Sequence, residues 1–268
     1  MKSFLLPELR AFLRYTDLPG ESSTNVYLAG LILAAQPSFL SIITGHPALA
    51  ASRSILVDLL GSGFSDAPAE FSYSLEDHAR TIANLLDHLG LRDINLIGYS
   101  MSGAVAITLA AVRPDLIARL VLLEANLDPM QPDEGKVSSQ IASQSEAEFC
   151  THGYQAIVDS LQQLGLEGNE TMAIMAGMMQ TAAPPALYRS AIHLVNGTRP
   201  TVRERLMRMT IPRTYIFGQR SLPDPDWQVL AQKGIQVLAV DSAGHGMAWD
   251  NPRGVAEAID KGLSYSKM

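Results

Sequence analysis

The sequence of 268 residues contains a single cysteine, Cys150. One cysteine cannot form a disulfide within the chain, and no Cys-x-x-Cys pair or Cys/His cluster offers the ligands of a structural zinc site. The sequence therefore requires no oxidising compartment, and we expect neither a metal nor another cofactor.

Charge and long hydrophobic runs are also scarce. Only 18% of the residues are charged, and 27 Asp and Glu outnumber 20 Lys and Arg. No segment combines basic and aromatic residues into a surface that could follow a phosphate backbone, so nucleic acid is not an expected partner. The longest apolar runs, residues 26–35 and 103–112, are about half the length that crosses a bilayer, and no membrane association is expected.

The first ten residues contain no signal-peptide core, because Pro7 and Glu8 interrupt a short apolar stretch. We therefore expect a cytoplasmic protein. Its expected partner is a small-molecule substrate, and we expect a monomer or homodimer. The hydrophobic fraction of 47% excludes a disordered chain and suffices for one compact globule.

Short apolar runs alternate with longer amphipathic segments between residues 25 and 124. The runs lack polar alternation, which is typical of parallel strands covered on both faces. A helix from Ser74 to Leu89 lies between two of them, with Asp77 completing a capping-box-like start and Gly90 at its end. This alternation predicts a doubly wound, mostly parallel α/β sheet. The predicted strands are residues 26–30, 54–58, 94–98 and 119–123.

The strand pattern disappears from about residue 128 to residue 209, where the sequence becomes helical and rich in methionine. It resumes at residues 213–218 and 235–240 and ends in a helix from Pro252 to about Leu263. We predict a helical insertion, residues 128–209, within a core formed by residues 1–127 and 210–268.

The segment around Ser100 is the most informative. A predicted strand ends at Gly98, Ser100 lies in the turn, and the small residues Ser102 and Gly103 lead into a helix. Such a turn exposes the serine hydroxyl at a helix N-terminus, where backbone N–H groups favour an anion. The alternative is a serine that merely caps the helix. The usual pattern of this turn is Gly-x-Ser-x-Gly, and Ser102 replaces its last glycine.

Several segments together resemble the α/β-hydrolase superfamily in order and spacing, over most of the chain outside the insertion. They are residues 58–66, the helix 74–89, the turn at Ser100, Pro114-Asp115, and the late Ala243-Gly244-His245-Gly246. The resemblance implies that a serine attacks an acyl carbon, a histidine takes its proton and a carboxylate orients the histidine, in the chain order serine, acid, histidine. It also implies that the insertion, between strands six and seven, forms a cap over the nucleophile.

His245 is the best candidate base among the six histidines, because it follows the last predicted strand in a glycine-flanked loop. The acid has three candidates. The family usually carries an aspartate three residues after a glycine at the end of strand seven, but this chain has Ser221 there. Some members, including certain lactone hydrolases and one group of dehalogenases, place the acid after strand six, where Glu124 lies. We favour Glu124, with Asp224 and Asp226 as alternatives that could instead cap a turn or helix.

The resemblance also implies an oxyanion hole formed by two backbone donors. One is the Met101 N–H, and the other is the Leu31 N–H with Gly30 beside it. The family commonly has His-Gly-x where this chain has Ala29-Gly30-Leu31, but a backbone donor survives the loss of that histidine.

Met172, Met175 and Met179 of the insertion have two interpretations. They line an adaptable apolar substrate pocket, or at helical spacing they pack the insertion onto the core. The insertion has no cluster of basic residues for a phosphate or coenzyme A, since Arg203, Arg205 and Arg208 read as a solvated helix face. A neutral, moderately apolar ester, lactone or related carbonyl compound is the expected substrate.

The function predicted is that of a serine hydrolase, an esterase or lactonase that forms an acyl-enzyme on Ser100. A carbon–carbon bond hydrolase or a cofactor-free perhydrolase with the same residues is one alternative. Another is a non-catalytic small-molecule receptor, suggested by the departures at Ser102 and Ser221. Ser100 itself disfavours the related dehalogenases and epoxide hydrolases, which use an aspartate nucleophile.

Overall fold

The computed structural model of the protein describes residues 1–129 and 137–266. Within them, eight strands form one sheet in the order β1-β2-β4-β3-β5-β6-β7-β8. β1 and β2 run antiparallel to their neighbours, and the remaining pairs are parallel. The strands are β1 Lys2–Leu6, β2 Ala11–Leu18, β3 Thr24–Leu28, β4 Arg53–Asp58, β5 Ile94–Tyr99, β6 Ile117–Leu123, β7 Arg213–Gly218 and β8 Gln236–Val240.

The helices cover both faces of this sheet, which confirms the predicted doubly wound, mostly parallel α/β architecture. They are α1 Ala35–Thr44, α2 Pro47–Ala50, α3 Leu75–His88, α4 Met101–Val112, α5 Val137–Ala142, α6 Glu146–Glu148, α7 Tyr154–Leu166, α8 Glu170–Met179, α9 Pro184–Asn196, α10 Val202–Arg208, α11 Asp226–Gln232, α12 Met247–Asp250 and α13 Pro252–Ser264. A π-helical turn at Phe149–Gly153 joins α6 to α7.

Two apolar clusters pack against opposite faces of the sheet. Ile82 of α3 and Val105 of α4 belong to one cluster, and Ile42 of α1 and Ile259 of α13 belong to the other. All four side chains are almost completely buried. Burial on both faces explains why the central strands read as continuous apolar runs.

Helix α3 begins at the predicted place. The Ser74 hydroxyl accepts a hydrogen bond from the Asp77 N–H at 3.1 Å. In a capping box the Ser74 N–H would donate to the Asp77 side chain. Here it donates to Ser72 Oγ at 3.0 Å. Gly90 follows the helix with φ +64°, a left-handed conformation that glycine adopts without strain.

Helices α5 to α10 occupy the connection between β6 and β7, where the sequence predicts the insertion. Residues 130–136 of that insertion lie outside the described residues. Helix α9 lies on the core, because the Ala183 N–H at its start donates to the Gly61 carbonyl at 3.1 Å. No helix in the described ranges has the length and hydropathy needed to cross a membrane.

Candidate active site

Ser100 lies in a sharp turn between β5 and α4. Its backbone has φ 55° and ψ −123°, a conformation that a residue with a side chain rarely adopts. Its N–H donates to the Leu123 carbonyl at 2.9 Å, and its own carbonyl accepts from the Gly103 N–H at 2.9 Å. Ser100 occupies the N-cap position of α4, but its side chain makes no capping hydrogen bond to the helix.

Glycines allow the surrounding chain to approach this turn. A Cβ at Gly103 would lie 2.3 Å from the Ala125 Cβ, and one at Gly30 would lie 3.0 Å from the Ser100 Cβ. A side chain at Gly103 would push α4 away from the loop after β6. A side chain at Gly30 would displace the loop after β3 from Ser100. The close packing explains the small residues predicted to surround the turn.

His245 reaches Ser100 from the loop after β8. Its Nε2 lies 3.1 Å from Ser100 Oγ, and its Nδ1 lies 2.7 Å from Glu124 Oε2. Because a carboxylate only accepts hydrogen bonds, Nδ1 carries the proton and Nε2 is left to accept from the serine hydroxyl. The His245 side chain is 61% exposed, so hydrogen bonds, more than packing, hold its orientation.

Glu124 follows β6 directly, with φ 41° and only 11% of its side chain exposed. Its Oε1 accepts from the Gly218 N–H at 2.8 Å. Burial raises the pKa of this carboxyl, but hydrogen bonds from His245, Ser221 and Gly218 together lower it below its usual value. Ser221, which stands where the family usually has its acid, thus helps to keep Glu124 ionised.

The alternative acids are engaged elsewhere. Asp224 Oδ1 accepts from the Asp226 N–H at 2.7 Å, which is the turn role considered for it. The Asp226 carboxylate accepts two hydrogen bonds from Arg203 of α10, each 2.8 Å long. Of the three candidate acids, the structure brings Glu124 to His245.

Three residues that sequence reasoning did not identify hold the loop of His245. The Tyr99 hydroxyl donates to the His245 carbonyl. Asp250 Oδ2 accepts from the Gly244 N–H at 2.9 Å and from Arg220 Nη2 at 2.6 Å. Tyr99 is adjacent to Ser100 in sequence, which was an available signal, but no spacing rule pairs Arg220 with Asp250 across 30 residues.

The predicted oxyanion donors border the same turn. Met101 is the first residue of α4, and Leu31 follows Gly30 in the loop after β3. Within residues 1–129 and 137–266, neither backbone N–H donates to a protein acceptor. The far end of the loop is fixed, because the Ala35 N–H donates to Asp58 Oδ1 at 2.7 Å.

The methionines of α8 divide between the two interpretations. Met179 has no exposed surface, which supports packing, whereas Met172 and Met175 are partly exposed beside the apolar cluster of α1 and α13. At the start of α8, Thr171 Cγ2 lies 3.4 Å from where a Cβ on Gly246 would be. The insertion therefore lies close to the loop that carries His245.

The expectation that Arg203, Arg205 and Arg208 form a solvated face is wrong for the first two. Arg203 binds Asp128 and Asp226, and its side chain is 27% exposed. Arg205 donates to Glu76 and Thr108 and is only 10% exposed. Helical spacing could not show these partners, because they lie on other elements.

Within residues 1–129 and 137–266, no three His, Cys, Asp or Glu side chains lie close enough together to hold a metal ion. The groups that the structure brings together at the site are a hydroxyl, an imidazole and a carboxylate.

Comparison with known proteins agrees with this architecture. A sequence model of the family described as alpha/beta hydrolase fold matches residues 43–145. Haloalkane dehalogenase 2 of Mycobacterium bovis is 29% identical over 124 residues, which are 46% of this chain and 43% of the dehalogenase. The match thus spans less than half the length of that curated relative.

Two solved structures match nearly the whole chain. An esterase from Thermogutta terrifontis is 23% identical with a TM-score of 0.78, covering 97% of this chain and 96% of its own. The enol-lactonase from Burkholderia xenovorans is 18% identical, also with a TM-score of 0.78, over 95% and 97% of the two chains. At these identities the likeness establishes the fold. Sheet order, the match over residues 43–145 and the likeness to these structures together show that this chain has the α/β-hydrolase fold.

Proposed function

We propose that the protein is a serine hydrolase that cleaves an ester, lactone or related carbonyl bond through an acyl-enzyme on Ser100. The observation that carries this proposal is the hydrogen-bonded chain from Ser100 through His245 to Glu124. A serine hydroxyl is a weak nucleophile at neutral pH, and an adjacent base that is itself held by a carboxylate overcomes this weakness.

In the proposed mechanism, Ser100 Oγ attacks the carbonyl carbon while its proton moves to His245 Nε2. Glu124 stabilises the resulting imidazolium, and the N–H groups of Met101 and Leu31 bind the oxygen that becomes negative. The imidazolium then protonates the leaving group, which departs and leaves the acyl group on Ser100. Water, deprotonated by His245, attacks this ester, and the returning proton restores Ser100.

The surroundings favour a neutral, moderately apolar substrate. Arg220 is paired with Asp250, and Arg203 is paired with Asp128 and Asp226, so neither guanidinium is left unpaired for a substrate anion. In the proposal the insertion, residues 128–209, caps the nucleophile, with Met172 and Met175 as part of an apolar wall. An attack by Ser100 produces an acyl-enzyme and needs neither a metal nor another cofactor.

The proposal is tested by replacing Ser100 with alanine. Labelling by a fluorophosphonate should disappear, and ester hydrolysis should fall by at least about a thousandfold, while circular dichroism stays unchanged. Persistent labelling of the S100A protein would refute Ser100 as the nucleophile. A panel of esters of graded chain length, lactones and thioesters, each ester paired with an anionic analogue, then identifies the substrate class; preference for the anionic members would contradict the neutral-substrate proposal.

A further inference from the structure

The two places where this chain departs from the family pattern around the nucleophile lie in contact. Ser102 replaces the last glycine of Gly-x-Ser-x-Gly, and Ala29 replaces the histidine of His-Gly-x. The Ser102 hydroxyl donates a hydrogen bond to the Ala29 carbonyl. Both residues are almost completely buried, so water does not compete for this bond.

We propose that Ser102 is a positioning residue that holds the loop carrying the Leu31 N–H at a fixed distance from the Met101 N–H. This inference rests on the proposed hydrolase function. Ser102 belongs to the first turn of α4, next to Met101, and Ala29 directly precedes Gly30 and Leu31. The hydroxyl therefore links the two segments that supply the two donors.

The loop needs such a link at its beginning. β3 ends at Leu28, and the registered pairs of β3 with β4 and β5 also end there, so strand pairing no longer holds Ala29. The other end of the loop is held by Asp58 through the Ala35 N–H. Ile32, between the two ends, has φ 65°, a left-handed backbone conformation that the surrounding loop must enforce. A small shift at Ala29 would disturb this conformation.

Close packing explains why the hydrogen bond between Ser102 and Ala29 controls the distance from the loop after β3 to Ser100. Gly30 lies against Ser100, where an added Cβ would be 3.0 Å from the Ser100 Cβ. The loop has no side chain at this point to space it from the nucleophile, so a directional hydrogen bond beside it sets the separation. Two donors stabilise one oxyanion only if both lie within hydrogen-bond reach of the same oxygen.

The test compares Ser102→Ala, Ser102→Gly and Ser102→Cys with the wild-type enzyme. Alanine removes the donor, glycine restores the common family pattern without the donor, and cysteine keeps the shape in a somewhat larger side chain with a weaker donor. Losing an oxyanion donor outright costs about a hundredfold to a thousandfold in kcat, so displacing one should cost about tenfold to a hundredfold. We expect this loss in kcat for alanine and glycine, a smaller loss for cysteine, and little change in KM.

A second readout isolates the oxyanion. In an alkyl trifluoromethyl ketone, Ser100 Oγ adds to the carbonyl carbon, its proton passes to His245, and the former carbonyl oxygen carries the negative charge. The matching secondary alcohol fills the same site without an oxyanion. The inhibition constant of the ketone should rise by the factor that kcat falls, and that of the alcohol should stay unchanged.

Thr108→Ala is the matched control. Thr108 is also a fully buried hydroxyl on α4, but it accepts from Arg205, away from the oxyanion donors. This variant should lower the melting temperature and leave kcat and the ketone affinity unchanged.

Ser102 variants that lose only thermal stability, as the Thr108 control does, would overturn the inference. A parallel loss of ketone and alcohol affinity would do the same, since it would place Ser102 in pocket shape. If alanine and glycine prevent folding, the cysteine variant alone decides between these outcomes. Failure of the underlying hydrolase proposal is distinguishable, because it would appear as persistent fluorophosphonate labelling of the S100A protein.

Discussion

At the scale of single residues, the proposed nucleophile and acid share an unusual backbone. Ser100 and Glu124 both have positive φ, 55° and 41°, and each directly follows a strand of the parallel sheet. A positive φ turns the chain sharply away from the strand direction and leaves the side chain at the edge of the sheet. Such strain costs about 1–3 kcal/mol for each residue and persists where the surrounding structure enforces it.

Replacing Glu124 with glutamine should lower kcat by about three to four powers of ten. The amide keeps the side-chain shape, but its NH₂ group can donate to Nδ1 and so favour the tautomer in which Nε2 carries the proton. That tautomer cannot accept the serine proton. Steady-state kinetics on the substrate found by the panel measures the loss.

Asp224→Asn is the control for Glu124→Gln, because Asp224 bonds to its own turn and not to His245. It should keep wild-type kcat. A Glu124→Gln enzyme with wild-type activity, or an Asp224→Asn enzyme that loses activity as strongly, would contradict the assignment of the acid.

The turn motif, the family resemblance and a position after a predicted strand made Ser100, His245 and Glu124 the favoured candidates, and the structure brings the three side chains together. Sequence reasoning missed Tyr99, whose hydroxyl bonds to the His245 carbonyl. It also read Ser102 only as a departure from a pattern. The partners of these hydroxyls are backbone carbonyls of remote segments, and residue type carries no information about such partners.

At the scale of elements, β1 and β2 show which strands an apolar run detects. Continuous apolar runs in the sequence identified the central strands, which helices cover on both faces. β2 alternates instead, with Ala11, Leu13 and Tyr15 buried and Phe12 exposed, because it lies near the edge of the sheet. A search for period-two alternation would have found β2.

Arg203 joins α10 of the insertion to Asp128, where the insertion begins after β6, and to Asp226, the first residue of α11 in the core. Its Nε lies 2.9 Å from Asp128 Oδ1, and Nη1 lies 2.8 Å from Asp226 Oδ1. Replacing Arg203 with glutamine leaves two neighbouring carboxylates without their cation. We expect a loss of about 1–2 kcal/mol in unfolding free energy and faster hydrogen exchange in α10.

Arg208→Gln provides the comparison for Arg203→Gln, because Arg208 is on the same helix and exposed. Hydrogen exchange read by mass spectrometry should leave its α10 peptides unchanged. Equal exchange in the two variants would show that Arg203 does not hold the insertion to the core.

At the scale of the whole molecule, we expect the buried His78 to make stability depend on pH. Its ring is fully buried on α3 against Phe71 and Tyr73, and neither nitrogen has a hydrogen-bond partner within the described residues. Burial lowers the pKa of His78 to about 3, from 6.5 in a model peptide. The folded protein therefore keeps His78 neutral under mildly acidic conditions, while the unfolded chain takes up a proton.

Because the unfolded state binds the extra proton, the unfolding free energy should fall as pH decreases from about 6.5 toward 3. The contribution of His78 has a limiting slope of about 1.4 kcal/mol per pH unit. Replacing His78 with phenylalanine or leucine should remove this contribution and flatten the dependence. Urea unfolding at a series of pH values measures it.

His88→Gln is the control for the His78 variants, because His88 is an exposed histidine on the same helix. Its curve of unfolding free energy against pH should stay parallel to that of the wild type between pH 4 and pH 6, about the range between the two pKa values of His78. If the His78 variants also run parallel to the wild type, the buried ring is not the source of the acid sensitivity.

By itself, the sequence determined the order of the central strands and their helices, the fold class and the chemical groups proposed for catalysis. These follow from local periodicity, turn residues and motif spacing, which act between near neighbours in the chain. Only the tertiary structure decided which carboxylate lies against His245, that Arg203 holds α10 to the core, and that Ser102 bonds to Ala29. Those contacts join residues 121, 23 and 73 positions apart, and only the packing of the sheet and its helices brings them together.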